Sequence, residues 1–264
     1  MLSVRDLHFS YGTIPVLHGV SFDARPGEVC ALFGPNGCGK STLFRCCLGL
    51  LPARFRRLSI DGRALAPMRP RARARLVAYV PQEHRPPFSL RVADVVMLGR
   101  TPHLGLLGRT SAQDRRIVAE TMARVGVSGL AARPYDQLSG GQRQLVLIAR
   151  AVAQQTKVIL LDEPTTGLDF RNQVHIWRVL RRLAADGAAV MCCTHDPNHV
   201  AWFCDRVLVM KDGGVVTQGR PADVLNAGTL DRLYPGACSV AQADGPPVIV
   251  PVDVPFPAPP DADG

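Results

Sequence analysis

The chain has 264 residues, 47% of them hydrophobic and 20% charged, with Lys+Arg 31 against Asp+Glu 22 and a formal charge of +9. This is the composition of one large globular domain or two small ones. It is too apolar for a disordered chain and too interrupted for a membrane helix, which needs about 18–20 uninterrupted apolar residues. Arg5, Asp6 and His8 break up the first ten residues, so no secretory leader is predicted and the protein is expected to stay where it is made.

The first apolar strand is predicted at Val29–Phe33, followed by a glycine-rich loop and a helix-compatible run from Thr42 to Leu50. Arg54–Arg75 then carries eight arginines against Asp61 alone. Phe55 is its single aromatic, with no repeated interleaving to stack bases, so the run reads as a solvated face near anionic lipid rather than a nucleic-acid surface. A second strand, Leu76–Val80, ends just before Gln82. From about 84 to 135 the pattern turns helical, at Val92–Leu98 and at Ala112–Val125. Thr110 or Ser111 caps the latter, with Asp114 in its first turn. This predicts a small helical subdomain inserted into an α/β core. Another helical run, Arg143–Ala153, precedes strands at Val158–Leu161 and Ala188–Cys193, which end in Asp162-Glu163 and Thr194-His195. Val207–Gly219, broken by Lys211-Asp212-Gly213-Gly214, reads as a β-hairpin. Asp244–Gly264 holds seven prolines and reads as a loosely attached tail, although Val248–Val254 could extend along a surface.

Short, wholly apolar strands alternating with helices argue for an α/β domain with a largely parallel sheet. Ligands of such sheets bind beyond the carboxyl ends of the strands, where four polar clusters of this sequence fall. The eight cysteines include the adjacent pairs Cys46/Cys47 and Cys192/Cys193 and show no zinc-site spacing. They read as buried, reduced thiols.

Three motifs carry chemistry. Gly34-Pro35-Asn36-Gly37-Cys38-Gly39-Lys40-Ser41-Thr42 fits G-x-x-x-x-G-K-[ST], between a strand and a helix. In such a loop converging backbone amides cradle phosphate, Lys40 reaches the β- and γ-phosphates, and the Ser41 hydroxyl ligates Mg²⁺. Asp162, at a strand end, can hold the same Mg²⁺, and Glu163 can orient or deprotonate water. Leu138-Ser139-Gly140-Gly141-Gln142 opens a further helix with exposed amides, a second anion site in one chain.

With these motifs, and with Gln82, Gly167-Leu168-Asp169 and His195 in the same order, the chain resembles the ATP-binding cassette (ABC) ATPase family over about Met1–Pro235. The resemblance implies a P-loop NTPase core with a mostly parallel sheet, an antiparallel β subdomain and an inserted helical subdomain. On this reading residues 1–240 form the ATPase domain and 241–264 the tail. It implies ATP hydrolysis by a head-to-tail dimer with two ATP molecules between the protomers. Residues 34–42 would hold one ATP, with Tyr11 stacked on adenine. Ser41, Gln82 and Asp162 would hold Mg²⁺. Glu163, Gln82 and His195 would be catalytic. Ser139, Gly140, Gly141 and Gln142 would reach the partner's ATP, and Asp169 would align the protomers while also capping a helix. Cys38 departs from the small residues usual at its position and suggests sensitivity to thiol reagents.

Met97-Leu98-Gly99-Arg100-Thr101-Pro102-His103-Leu104, Gly108-Arg109 and Asp114 resemble the ATPases of importers for iron–siderophore complexes, haem and cobalamin. Arg171-Asn172-Gln173 and Thr194–His199 also resemble that group, including its molybdate-transporting relatives. The implied partners are transmembrane permease subunits and, indirectly, a substrate-binding protein, with no nucleic acid. The implied location is the cytoplasmic face of the bacterial inner membrane. A molybdate or tungstate importer ATPase is the alternative. A soluble ABC ATPase acting on DNA or ribosomes fits less well, since a long coiled-coil insertion and a second cassette are both missing. The permease is expected to dock near Gln82 and Val92–His103, where Met97, Leu98 and Leu104 offer apolar surface and cysteines at Arg100 or His103 would reach it.

Overall fold

The computed structural model describes residues 1–82, 89–105, 108–241 and 245–252. The expected start of the helical insert near 84 and the tail beyond Val252 lie outside the described residues.

The chain begins with two long antiparallel strands, β1 (Leu2–Tyr11) and β2 (Ile14–Ala24), paired Leu2↔Ala24 and Leu7↔Val20. Asp6 takes a left-handed φ of 54°, and the register shifts between Val4 and Leu7. This bulge breaks the period-two alternation by which a half-buried strand is read from sequence. β3 (Val29–Phe33) follows, then α1 (Lys40–Cys47). β4 (Arg57–Ile60) and β5 (Arg63–Ala64) complete a four-stranded antiparallel sheet, β2-β1-β4-β5. The short α2 (Pro70–Arg73) leads to β6 (Val77–Val80).

The insert comprises α3 (Val92–Met97), a 3-10 turn at Leu98–His103 and α4 (Ala112–Val125), and the chain returns through α5 (Gly140–Ala153). Next come β7 (Val158–Asp162), α6 (Phe170–Ala185), β8 (Ala189–Thr194), α7 (Pro197–Phe203), and the hairpin β9 (Arg206–Lys211) and β10 (Gly214–Gly219). Two short helices, α8 (Pro221–Val224) and α9 (Ala227–Leu233), precede strands β11 (Cys238–Ala241) and β12 (Val248–Pro251).

The second sheet has the order β10-β9-β3-β8-β7-β6, and all its pairings are parallel except β10 with β9. Every residue of β3, β7 and β8 is buried, as strands covered on both faces require. The four strands expected from sequence are the contiguous block β3-β8-β7-β6. Parallel pairing puts their carboxyl ends on one edge.

The insert is not a separate unit. Val92, Val95, Val118, Met122 and Val125 join Val146 and Ile148 of α5 and Ala78 and Ile159 of the sheet in one apolar cluster. Ser111 and Asp114 form a reciprocal capping box on α4. Arg100, expected to face a permease, lies inside instead, 5% exposed. Its Nε donates to Asp114 Oδ1 at 2.9 Å and Nη1 to Ala153 O at 2.8 Å. A guanidinium tolerates burial when carboxylate and carbonyl acceptors meet its fixed fork.

Two further expectations change. Within the arginine run, Arg71 and Arg75 both donate to Pro102 O, and Arg73 to the carbonyls of Leu48 and Met68. These three arginines fasten backbone as well as meeting solvent. The tail is not loose at its start: β12 pairs with β11, and Ile249 is buried with Phe33, Val200 and Leu230. Asn198 exchanges hydrogen bonds with the Ile249 backbone at 2.8 and 3.0 Å. Pro251 is accommodated because it ends an edge strand. Among the described residues no helix is long and apolar enough to cross a membrane.

Candidate active site

The loop from Gly34 to Gly39 turns β3 into α1. Gly34 has no room for a side chain: a Cβ there would lie 2.1 Å from Met210 O on β9. Lys40 is buried, and its Nζ donates to the carbonyls of Gly34 at 2.7 Å and Pro35 at 2.9 Å, curling the loop around its own cation. Cys38 is also buried, and burial pushes its thiol up. The thiolate that thiol reagents attack is therefore disfavoured, against the expected sensitivity.

Beside the loop lies a cleft of about 520 Å³. Tyr11 and Val16 line it from the antiparallel sheet, Asn36, Gly37, Gly39, Lys40, Ser41 and Thr42 from the loop and α1, and Gln82 and Glu163 from the ends of β6 and β7. Tyr11 is 46% exposed and sits edge-on to Phe9, which leaves a ring face open to a planar ligand.

Asp162, the last residue of β7, is buried. Its Oδ2 accepts from Tyr79 Oη at 3.1 Å, while Oδ1 is buried without a hydrogen-bond partner. Burial, reinforced by the Asp162 charge, pushes the Tyr79 phenol up, so it remains a donor. A buried carboxylate oxygen with no donor is costly unless something positive meets it. Ser41 and Gln82 line the cleft, and Asp162 lies directly before Glu163, which lines it too; this oxygen-rich set of side chains fits a hard divalent cation such as Mg²⁺.

Glu163 follows at a left-handed φ of 47°, a conformation that costs a non-glycine residue about 1–2 kcal/mol. Its Oε2 accepts from Gln82 Nε2 at 3.1 Å and from Thr166 Oγ1 at 3.0 Å. Its Oε1 lies 3.5 Å from His195 Nδ1, on the loop after β8. Lys40, Gln82, Asp162, Glu163 and His195 thus come together from four neighbouring strand ends. Tyr79 and Thr166 were not anticipated. Their side chains meet the acidic pair across the strand order and a turn, neither of which a motif shows.

Ser139, Gly140, Gly141, Gln142 and Asp169 do not line this cleft. Ser139 caps α5, its hydroxyl accepting from Gln142 N at 3.3 Å while Gln142 Oε1 accepts from Ser139 N at 3.2 Å. A Cβ on Gly141 would come within 2.7 Å of Asn172, so α5 approaches α6 closely there. Asp169 caps α6 through Asn172 N at 2.8 Å. A smaller concavity of about 230 Å³ runs from Gln82 and Glu163 to Gly140, Thr166 and Leu168.

The ABC transporter family model matches residues 17–166. The chain belongs to the ABC transporter family. It is 39% identical over 254 residues to the hemin import ATP-binding protein HmuV of Thermobifida fusca, covering 96% of this chain and 89% of that protein. It is 35% identical over 234 residues to the iron(3+)-hydroxamate import ATP-binding protein FhuC of Bacillus subtilis, covering 88% and 87%. A chain solved in an inward-facing ABC transporter described as of metal-chelate type superposes with a TM-score of 0.83 at 31% identity, covering 95% and 97%. As an ABC transporter ATPase the protein binds and hydrolyses ATP. Its fold is that of an ABC cassette: a mostly parallel sheet, an antiparallel sheet and an inserted helical layer.

Proposed function

We propose that this protein is the ATPase subunit of an ABC importer for a metal chelate of the iron–siderophore, haem or cobalamin type. It would work as a head-to-tail dimer beneath two transmembrane permease subunits, on the cytoplasmic face of the bacterial inner membrane, with a substrate-binding protein delivering cargo. One observation carries the reading: the Lys40–Asp162–Glu163–His195 cluster stands at one sheet edge in a chain whose relatives are named for hemin and iron-hydroxamate import. Neither of those names points to molybdate.

In this reading Lys40 exchanges the Gly34 and Pro35 carbonyls for phosphate oxygens, and Tyr11 stacks on the base. Ser41, Asp162 and Gln82 hold Mg²⁺, which when bound neutralises charge on the phosphates. Glu163 orients the attacking water and takes its proton, and His195 contacts the γ-phosphate. Ser139 accepts a bond from Gln142 N yet keeps its own O–H to donate. With Gly140, Gly141 and Gln142 it would serve the partner protomer's ATP, consistent with its place outside this chain's own cleft. Asp169 would align the two protomers. Permease docking is supported at Leu98, which stands 47% exposed at the corner of the insert.

Purification of the protein with a permease, and uptake assays in proteoliposomes, test the proposal. Haem or a ferric siderophore with its binding protein should stimulate ATP hydrolysis and enter the vesicles. Uptake of molybdate instead would overturn the cargo class. Failure to associate with any permease would overturn the transporter role.

A further inference from the structure

Glu163 leaves β7 in a left-handed conformation, which sets the direction of its side chain but not its rotamer. One of the contacts that fix the carboxylate comes from Gln82, an exposed residue at the entrance to the insert. Another comes from Thr166, in a turn with little freedom. Thr166 N donates to Glu163 O at 3.3 Å and Leu168 N to Thr165 O at 3.3 Å. Gln173 of α6 donates to Leu168 O at 3.0 Å, and Asp169 caps the same helix. The Thr166 hydroxyl is therefore presented to Glu163 Oε2 by a loop tied down at both ends.

We infer that Thr166 is a positioning residue for the hydrolysis reaction. By donating to Oε2 alongside Gln82 it holds that oxygen, and so aims Oε1, on the His195 side, at the water to be activated. The inference rests on the reading of Glu163 as the base. It adds that the loop leading to Asp169 holds that base in place.

Thr166→Val keeps shape and branching but removes the donor; Thr166→Ser keeps the donor but removes the methyl. Thr166 is exposed, so both variants should fold, and melting temperature checks this. We expect Thr166→Val to lower kcat about tenfold, since small misplacements of catalytic groups are costly. KM for ATP should stay within about twofold, because the loss falls on the transition state alone. Thr166→Ser should restore kcat. Unchanged kcat in Thr166→Val, equal losses in both variants, or a rise in KM that accounts for the loss would each overturn the inference. Glu163→Gln is the parallel control. If it keeps turnover, the base reading fails; if it loses turnover while Thr166→Val does not, the positioning role alone fails.

Discussion

Tyr79 and Asp162 meet across two neighbouring parallel strands, with 3.1 Å between the phenol oxygen and Oδ2. The bond occupies one carboxylate oxygen and leaves Oδ1, the oxygen proposed above to meet Mg²⁺. Tyr79→Phe should let the carboxylate rotate. Groups that orient a metal ligand typically matter by about 10–100-fold in metal affinity. We expect a rise of roughly tenfold in the Mn²⁺ concentration needed for nucleotide binding, read by electron paramagnetic resonance. Unaltered Mn²⁺ binding would show that Asp162 needs no such support.

Glu163→Gln should bind ATP normally and lose turnover by about 10²–10⁴-fold, the usual contribution of a placed base. The amide can still accept from Thr166 and Gln82 through its carbonyl. The site should therefore stay assembled and ATP-bound dimer accumulate, visible by size-exclusion chromatography. Near-normal steady-state hydrolysis would remove Glu163 from the base role.

The placement of Ser139 outside the cleft predicts complementation. Dimers of Ser139→Arg alone or Lys40→Ala alone carry two damaged sites. A mixed dimer carries one site with both lesions and one with neither. Equilibrium titration with ATP should recover binding at about a quarter of the wild-type stoichiometry in an equal mixture that pairs at random, and about half in purified mixed dimers. Protomers that associate without recovering binding would rule out a site shared between chains.

Asp114 makes the insert sensitive to acid. Bonds from the Ser111 hydroxyl and backbone, then Arg100, hold its carboxyl down at about 2, below the ordinary 3.8. A carboxylate lowered on folding contributes its stability above the unfolded value and loses it as pH falls through the folded one. That contribution should be intact above pH 3.8 and vanish toward pH 2. Asp114→Asn should flatten this segment of the acid-unfolding curve. It should also cost about 3–5 kcal/mol at neutral pH, because Arg100 is left buried without its anion. Urea titrations across pH measure both effects.

Leu98→Cys should cross-link to the cytoplasmic loops of the permease in membranes, in a nucleotide-dependent way, whereas Arg100→Cys should destabilise the protein. The native thiols compete weakly: the eight cysteines are free and none is exposed, and burial pushes Cys30 up to about 12 and Cys46 to about 11. Cross-links confined to the Arg54–Arg75 face would move the docking site there.

What the sequence made legible was whatever depends on local pattern. Val29–Phe33 and Val158–Leu161 stand out because buried parallel strands are uniformly apolar. The loop at Gly34–Thr42 and the helix capped at Ser139 stand out because phosphate loops and helix starts constrain adjacent residues. Contacts between distant positions stayed hidden. Arg100 and Asp114 look like surface charges until the fold brings a buried fork and a capping carboxylate together. Tyr79 looks like one more sheet residue until strand order sets it beside Asp162. The prolines after Asp244 obscured β12, whose stability comes from Asn198 and an apolar layer far away in sequence. The strand β1 was masked by the left-handed turn at Asp6.

The close seat of Gly99 on α5 has a mechanical consequence. A Cβ at Gly99 would lie 2.1 Å from Arg150 O, and Arg100 grips the carbonyl of Ala153 one turn further on. The exposed corner at Leu98 is thereby bolted to one end of a 14-residue helix whose other end carries Ser139. Such a rod is about 21 Å long and bends little. Leu98 and Ser139 are thus fixed at opposite ends of one stiff element, itself seated on the sheet through Val146 and Ile148, so the spacing between corner and cap is set by a helix and not by loops.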